Sequence, residues 1–345
     1  MKIRMSMSAG VNFSRTCGVN LLRSIAVACL ATSSALARAQ TPLTLEKTIP
    51  LPGVHGRIDH MAFDAQHNRL FVAALGSDAL VVLDLNSGAV AHTITGLAEP
   101  QGIGYDPDRN RLWVANGRDG SVRIYEAGGF KLIRTLSLGD DADNIRRDPA
   151  TGQMLVGYGD GGVAIFDAEA SKVADIKVDA HPESFQLEPN GSRVYVNLPN
   201  SRKIGVLDRN KAQVVGAWTT DDARSNFPMA LDQSDNRLFV VCRSPAVLLV
   251  LDTASGRIVQ KLSTVGDSDD VFFDPVLKRI YASGGQGEIV VYQQQDRDHY
   301  SQIAEIKTAA GARTSLLVPA LRRLFLAVRE QGGRPAAIQI FKTER

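Results

Sequence analysis

Residues 57–74 read RIDHMAFDAQHNRLFVAA, and residues 99–116, 42 positions further on, read EPQGIGYDPDRNRLWVAN. Each phrase is a short apolar run that ends on an acid, then a polar turn, then Arg and a β-rich triplet. The second half of the phrase returns along the chain. Arg69-Leu70-Phe71-Val72, Arg111-Leu112-Trp113-Val114 and Gln153-Met154-Leu155-Val156 are followed by Arg193-Val194-Tyr195-Val196, Arg237-Leu238-Phe239-Val240, Arg279-Ile280-Tyr281-Ala282 and Arg323-Leu324-Phe325-Leu326. The spacings are 42, 42, 40, 44, 42 and 44 residues. A period in the low forties marks a repeat architecture with one supersecondary unit per copy.

Each unit holds four short β-like runs separated by turn chemistry, for example GIGYD, RLWVAN, SVRIYE and KLIRTLSL in the second copy. Runs this short, rich in Val, Ile, Tyr and Phe and without a 3.6-residue period, argue against helices. Seven units of four strands predict an all-β fold, a seven-bladed β-propeller with four-stranded blades. The seventh copy supplies only three runs, SLLV, RLFLAV and AIQIF. LEKTIPLPG (Leu45 to Gly53) matches LIRTLSLG (Leu132 to Gly139), a fourth run elsewhere. The N-terminal strand is therefore expected to close the last blade, so that no sheet edge is left open.

RVYVNLPNSRKIGVLDRNKAQVV and RLWVANGRDGSVRIYEAGGFKLIRTL follow the pattern of the YVTN-type β-propeller repeat: a VYVAN-like strand, a turn, a V-x-V-I-D strand and a final T-I strand. From about residue 44 to 345 the chain resembles that family, which includes exported bacterial proteins. The resemblance implies the propeller fold. Related propellers include lactonases, nitrite-reductase haem domains and exported proteins without an assigned role, so it carries over no catalytic residue.

The first 39 residues have a different character. A basic, acid-free start precedes the apolar run SIAVACLATSSALA and an A-x-A spacing at Ala35/Ala37 or Ala37/Ala39. That order is expected of a secretory signal peptide, with residues 40–345 as a single propeller domain in the periplasm or outside the cell. Its removal takes five basic residues and no acid from totals of 39 and 37, which leaves 34 against 37. No basic block remains to track phosphates, so nucleic acid is not an expected partner. No other stretch is apolar enough to span a bilayer, and the processed chain is expected to be a membrane-free monomer. Cys17 and Cys29 leave with the signal, and Cys242 remains without an intramolecular disulfide partner.

In a propeller the first strand of each blade lines the central channel, so equivalent positions form rings. At the ends of these strands stand Asp64, Asp106, Asp148, Glu188, Asp232, Asp274 and Val318. Acids before a turn hold backbone N–H groups, a structural role. Five residues upstream the ring reads Asp59, Gln101, Asp143, Glu183, Phe227, Asp269 and Arg313. Neighbouring rings add His60, Asn144, Arg57, Glu99 and His181. Strand interiors are apolar, so polarity gathers at one mouth. A ring that differs from blade to blade suits an asymmetric ligand, although polar loops are also the ordinary surface of a propeller.

Arg146 occupies an inner-strand position where other blades have Ala62, Gly104 and Ala230. It is expected to pair with Asp143, Asp141 or Glu183, either as a brace or as a clamp for an anion. Arg243 is a further contact candidate. The expected ligand set at the mouth is thus Arg57, Asp59, His60, Glu99, Gln101, Asp143, Asn144, Arg146, His181, Glu183, Arg243, Asp269 and Arg313. Of these, Asp59, His60, Asp143, His181 and Glu183 carry donors suited to a divalent metal, without a local ligand motif to support it. There is no CxxCH for covalent haem, no P-loop and no GxSxG elbow. The first reading is a non-catalytic scaffold that binds a small molecule or protein at the mouth. The alternative is a lactonase- or lyase-like enzyme that uses the mouth carboxylates and histidine, with or without metal. A non-covalent haem or quinone partner is a third possibility. Fold analogy does not choose among them.

Overall fold

The computed structural model describes residues 41–345; the expected signal peptide lies outside the described residues. Twenty-eight strands form seven antiparallel four-stranded sheets arranged as the blades of a ring, as the repeat predicted. Blades are numbered here from the one that begins at Met61. Blades 1 to 6 each take four consecutive strands. Blade 7 takes Ser315–Val318, Arg323–Val328 and Ala337–Thr343, and its outer strand is the N-terminal Leu43–Pro50. That strand pairs from Leu43↔Thr343 to Pro50↔Ala337, which closes the ring.

The repeated acid and arginine explain why the phrase recurs. In five blades the acid, an aspartate, caps the turn after the inner strand. Asp64 Oδ1 accepts the N–H groups of Gln66 and His67 at 3.0 and 3.2 Å, and Asp274 Oδ1 accepts those of Val276 and Leu277 at 2.8 and 3.1 Å. Five residues after the acid, the arginine reaches into the next blade. Arg69 Nη1 donates to the carbonyl of Ala127 at 2.7 Å, Arg111 Nη1 to Ala168 at 2.9 Å and Arg193 Nη1 to Thr253 at 2.9 Å. Arg237 Nε donates to Arg297 at 3.1 Å, and Arg279 to the carbonyl of Glu344. Each acceptor follows the third strand of the neighbouring blade, so in five of the seven repeats this arginine latches blade to blade.

Two blades depart from the latch: one is compensated across the seam, and the other spends its arginine inside its own blade. Blade 3 has Gln153, and there Arg209 of blade 4 reaches back to Asp148 at 2.9 Å. Blade 7 has Val318 instead of an acid, and Arg323 turns to Glu46 of the closing strand with two bonds of 2.7 Å. Between blades the apolar faces interdigitate. Phe71, Leu80 and Val82 of blade 1 pack with Leu112, Val114 and Tyr125 of blade 2, and the same contact recurs around the ring. Trp113 is buried in such a seam, as expected of a packing residue.

Candidate active site at the channel mouth

All seven residues of the upstream ring, one from each blade, line a single cavity of about 260 Å³ at one end of the channel. Two backbone devices aim them inward. Two residues before the ring position the chain takes a left-handed turn, at Glu99, Asp141, Ser225, Asp267 and Gly311, with φ between 32° and 79°. The inner strand then bulges. In blade 3 the register jumps from Ala142↔Tyr158 to Ile145↔Val156, so Asp143 and Asn144 together oppose Gly157. The same irregularity covers Gln101, Phe227 and Asp269. Bulges of this kind re-aim side chains next to functional sites. Blade 2 has Gly102 beside this bulge because a Cβ there would lie 2.0 Å from the Asp143 carbonyl oxygen.

The cavity has two unlike arcs. Across blades 5, 6, 7 and 1 the arginines are held by acids. Arg243 lies 3.8 Å over the Phe227 ring and pairs with Asp269. Arg313 bonds Asp267 at 2.8 Å and also meets Asp269, while Arg57 pairs with Asp59 at 2.7 Å. Arg57 Nε is buried and has no acceptor. Across blades 2 to 4 the wall is acidic. Gln101 donates to Asp141 at 2.9 Å. His181 Nδ1 donates to the Gly159 carbonyl at 2.7 Å, and its Nε2 faces Asp143 at 3.8 Å. Glu183 stands next to this pair. Donor atoms of Asp143, His181 and Glu183 all lie within 4.8 Å of one another, an N,O,O set of the kind that takes a divalent cation.

Burial and crowding separate the protonation of these groups. Burial, then the charge of Asp143, pushes Glu183 up to about 8. Burial opposes the charged form of His181, but its contact with Asp143 and the nearby carboxylates raise it to about 9. Burial likewise works against Asp143, yet His181, His60 and Arg57 hold it below the usual carboxylate range. Near neutrality His181 and Asp143 form an ion pair, and Glu183 is the carboxyl poised to exchange a proton.

Beneath the ring His60 forms the floor. Its Nε2 meets the Asn144 amide at 3.3 Å and Asp59 at 3.7 Å, and its Nδ1 lies 3.7 Å from Asp270. Asp59 and His60 therefore make their own pair, and of the five residues expected to hold metal only Asp143, His181 and Glu183 converge. Among the thirteen expected ligand residues, Glu99 and Arg146 alone lie away from the cavity. Glu99 serves as a left-handed turn residue, and its exposed carboxylate bonds Arg118 at 3.1 Å. Arg146 lines the lower part of the channel and, among the described residues, has no carboxylate within 4.0 Å, contrary to the expected pairing. Asp141, Ser184 and Phe227 complete the lining. Arg329, at no repeat position, lies near the mouth without lining it; burial, then Arg313 and Arg57, pull its pKa down. Cys242 is buried and its thiol is pushed up to about 12, so it is no nucleophile.

Comparison with known proteins adds a partial match to one family model. The family model described as Arylesterase matches residues 75–201. No curated protein matches. Among solved structures, a chain of the "Crystal Structure of Mitotic Checkpoint Complex" superposes with a TM-score of 0.74 at 15% identity, over 96% of this chain and 99% of that one. "Kuenenia stuttgartiensis Hydrazine Synthase" gives 0.67 at 16%, over 80% and 95%. "Crystal structure of RRP9 WD40 repeats" gives 0.74 at 11%, over 85% and 96%. At these identities the structures speak for the propeller fold alone. The arylesterase match bears on function, and it favours the enzymatic alternative over a non-catalytic scaffold. The YVTN resemblance rests on the repeat residues alone.

Proposed function

We propose that the chain is a hydrolase of carboxylic esters or lactones, exported by its N-terminal signal, with its active site at the channel mouth. One observation carries this reading: the segment that matches the arylesterase model contains Asp143, His181 and Glu183, the three groups whose protonation the cavity sets apart. Glu183 acts as general base. It takes a proton from water as the water oxygen bonds the acyl carbon, and it returns that proton to the leaving alkoxide as the acyl–oxygen bond breaks. Acid and alcohol are the products. The His181–Asp143 ion pair fixes the charge beside Glu183. Arg57, which lines the cavity and pairs with Asp59, supplies positive charge for the developing oxyanion. Were a divalent cation held by Asp143, His181 and Glu183, it would supply polarisation of the carbonyl, and Glu183 would then be a ligand instead of the base.

The test is a panel of phenyl and alkyl esters and lactones of several ring sizes, run on the purified protein and on Glu183→Gln. Turnover by the wild type that the variant loses is the expected result. A panel with no turnover above buffer overturns the proposal.

A further inference from the structure

Below the His60 floor the channel widens into a second chamber of about 380 Å³, within the size range of small-molecule sites. Its walls are mixed, with Met61, Phe63, Ile103, Ile145, Phe272 and Leu316 as the apolar part, contributed by five blades. One full charge stands in it without a counterion among the described residues. Arg146 Nη1 donates to the Ile145 carbonyl at 2.9 Å, and its guanidinium lies 5.7 Å from the centre of the Phe185 ring. The carboxylates that act on it, Asp270 and Asp143, lie beyond ion-pair distance, and burial pulls its pKa down.

The other charges in the chamber are engaged. Arg147 bonds Asp106 at 3.1 Å and also Asp108. Asp270 accepts the Ser315 N–H at 2.8 Å and faces His60. Gln186 donates to the Met229 carbonyl at 2.9 Å. The remaining N–H groups of Arg146 are not sealed off and open into the chamber, and a planar fork of donors matches a carboxylate.

We infer that the lower chamber is a binding site for a monocarboxylate with an apolar tail, the carboxylate on Arg146 and the tail against the Met61, Ile103 and Phe272 walls. The site is separate from the mouth, on the far side of His60, and does not depend on the hydrolase reading.

Titration calorimetry of the purified protein with hexanoate, acetate and the neutral isostere hexanamide tests it. Hexanoate is expected to bind with one site per chain, more tightly than acetate and at least tenfold more tightly than hexanamide. Arg146→Met should weaken hexanoate at least tenfold and leave hexanamide unchanged. Arg146→Lys should keep the charge but lose part of the affinity, since an ammonium cannot reproduce the fork. Should Arg146→Met fail to fold, the hexanoate–hexanamide comparison on the wild type and Arg146→Lys still decide. Absence of hexanoate binding, equal binding of hexanoate and hexanamide, or affinity unchanged in Arg146→Met overturns the inference. Equal binding of acetate and hexanoate overturns the apolar tail in favour of a small anion.

Discussion

The two ends of the inner strands use the same residue types for opposite purposes. At the turn end, Asp64, Asp106, Asp148, Asp232 and Asp274 are consumed by backbone N–H groups and, in three blades, by arginines. At the mouth, five residues earlier, Asp59, Asp143, Glu183 and Asp269 face one another and a few arginines across a cavity. A carboxylate with several N–H donors is an inert brace. A carboxylate crowded by others is forced to hold its proton, to find a cation, or to act on a ligand. Repetition therefore marks the skeleton of this propeller, and departure from repetition marks the chemistry.

Substitution at each end should break the comparison in opposite ways. At the mouth, Glu183→Gln is expected to lower kcat by roughly 10²- to 10⁴-fold, the usual worth of a general base, with no fall in melting temperature. A large loss of stability with full activity in the folded fraction would reverse the roles. At the turn end, Asp148→Ala leaves Arg209 buried and unpaired; the two side chains are 0% and 5% exposed. A destabilisation of roughly 3–5 kcal/mol in a urea titration is expected, with the kcat of the folded protein unchanged. A midpoint that does not move would mean that Arg209 finds another acceptor.

The same distinction explains what was legible in the sequence. The latch arginines and turn acids recur at a fixed period, so the blades, their number and the N-terminal closure could be read directly. The mouth ring could be located because alignment of the repeats puts one residue per blade at one level. Two things were not legible. Glu99 occupies a ring position but serves its backbone, since the left-handed turn there sends the side chain outward to Arg118. Arg146 could be noticed as an anomaly, but its direction along the channel depends on a bulge that leaves no residue signature.

A pH series sharpens the comparison further, because the channel holds three groups whose protonation folding raises. Glu183 rises from 4.5 to about 8, His181 from 6.5 to about 9 and Asp270 from 3.8 to about 7 on folding. A group whose folded pKa is raised gives stability that is complete below its unfolded pKa and is lost as pH climbs through the folded one. The melting temperature should therefore fall between about pH 5 and pH 9. Glu183→Gln should flatten the part of that fall below about pH 8. Asp143, held low, works the other way and loses its contribution only in acid. The rate should rise with pH through about 8 as Glu183 becomes the carboxylate. A rate that falls over that range would make Glu183 an acid instead. Divalent cations compete with protons for the same oxygens, so a cation such as Ca²⁺ or Zn²⁺ should raise the melting temperature more at pH 9 than at pH 6. The rise should vanish in Glu183→Gln, and an equal rise at both pH values would place the ion elsewhere.

The smallest effect belongs to the ring closure. Glu46 and Arg323 form two bonds of 2.7 Å, and the pair looks like the clasp that holds the N-terminal strand. Their side chains are 38% and 35% exposed, however, and solvent screens such a pair. Glu46→Gln is expected to cost no more than about 1 kcal/mol, read as a slight shift of the urea midpoint that shrinks further in high salt. The clasp proper is the backbone ladder from Leu43 to Pro50, with Leu43 and Ile49 buried at its two ends. Leu43→Ala removes apolar packing from the seam between blades 6 and 7 and should cost roughly 2–5 kcal/mol. If Glu46→Gln proved the more damaging of the two, charge rather than burial would hold the ring shut. Blade 7 would then be built on a different principle from the other six.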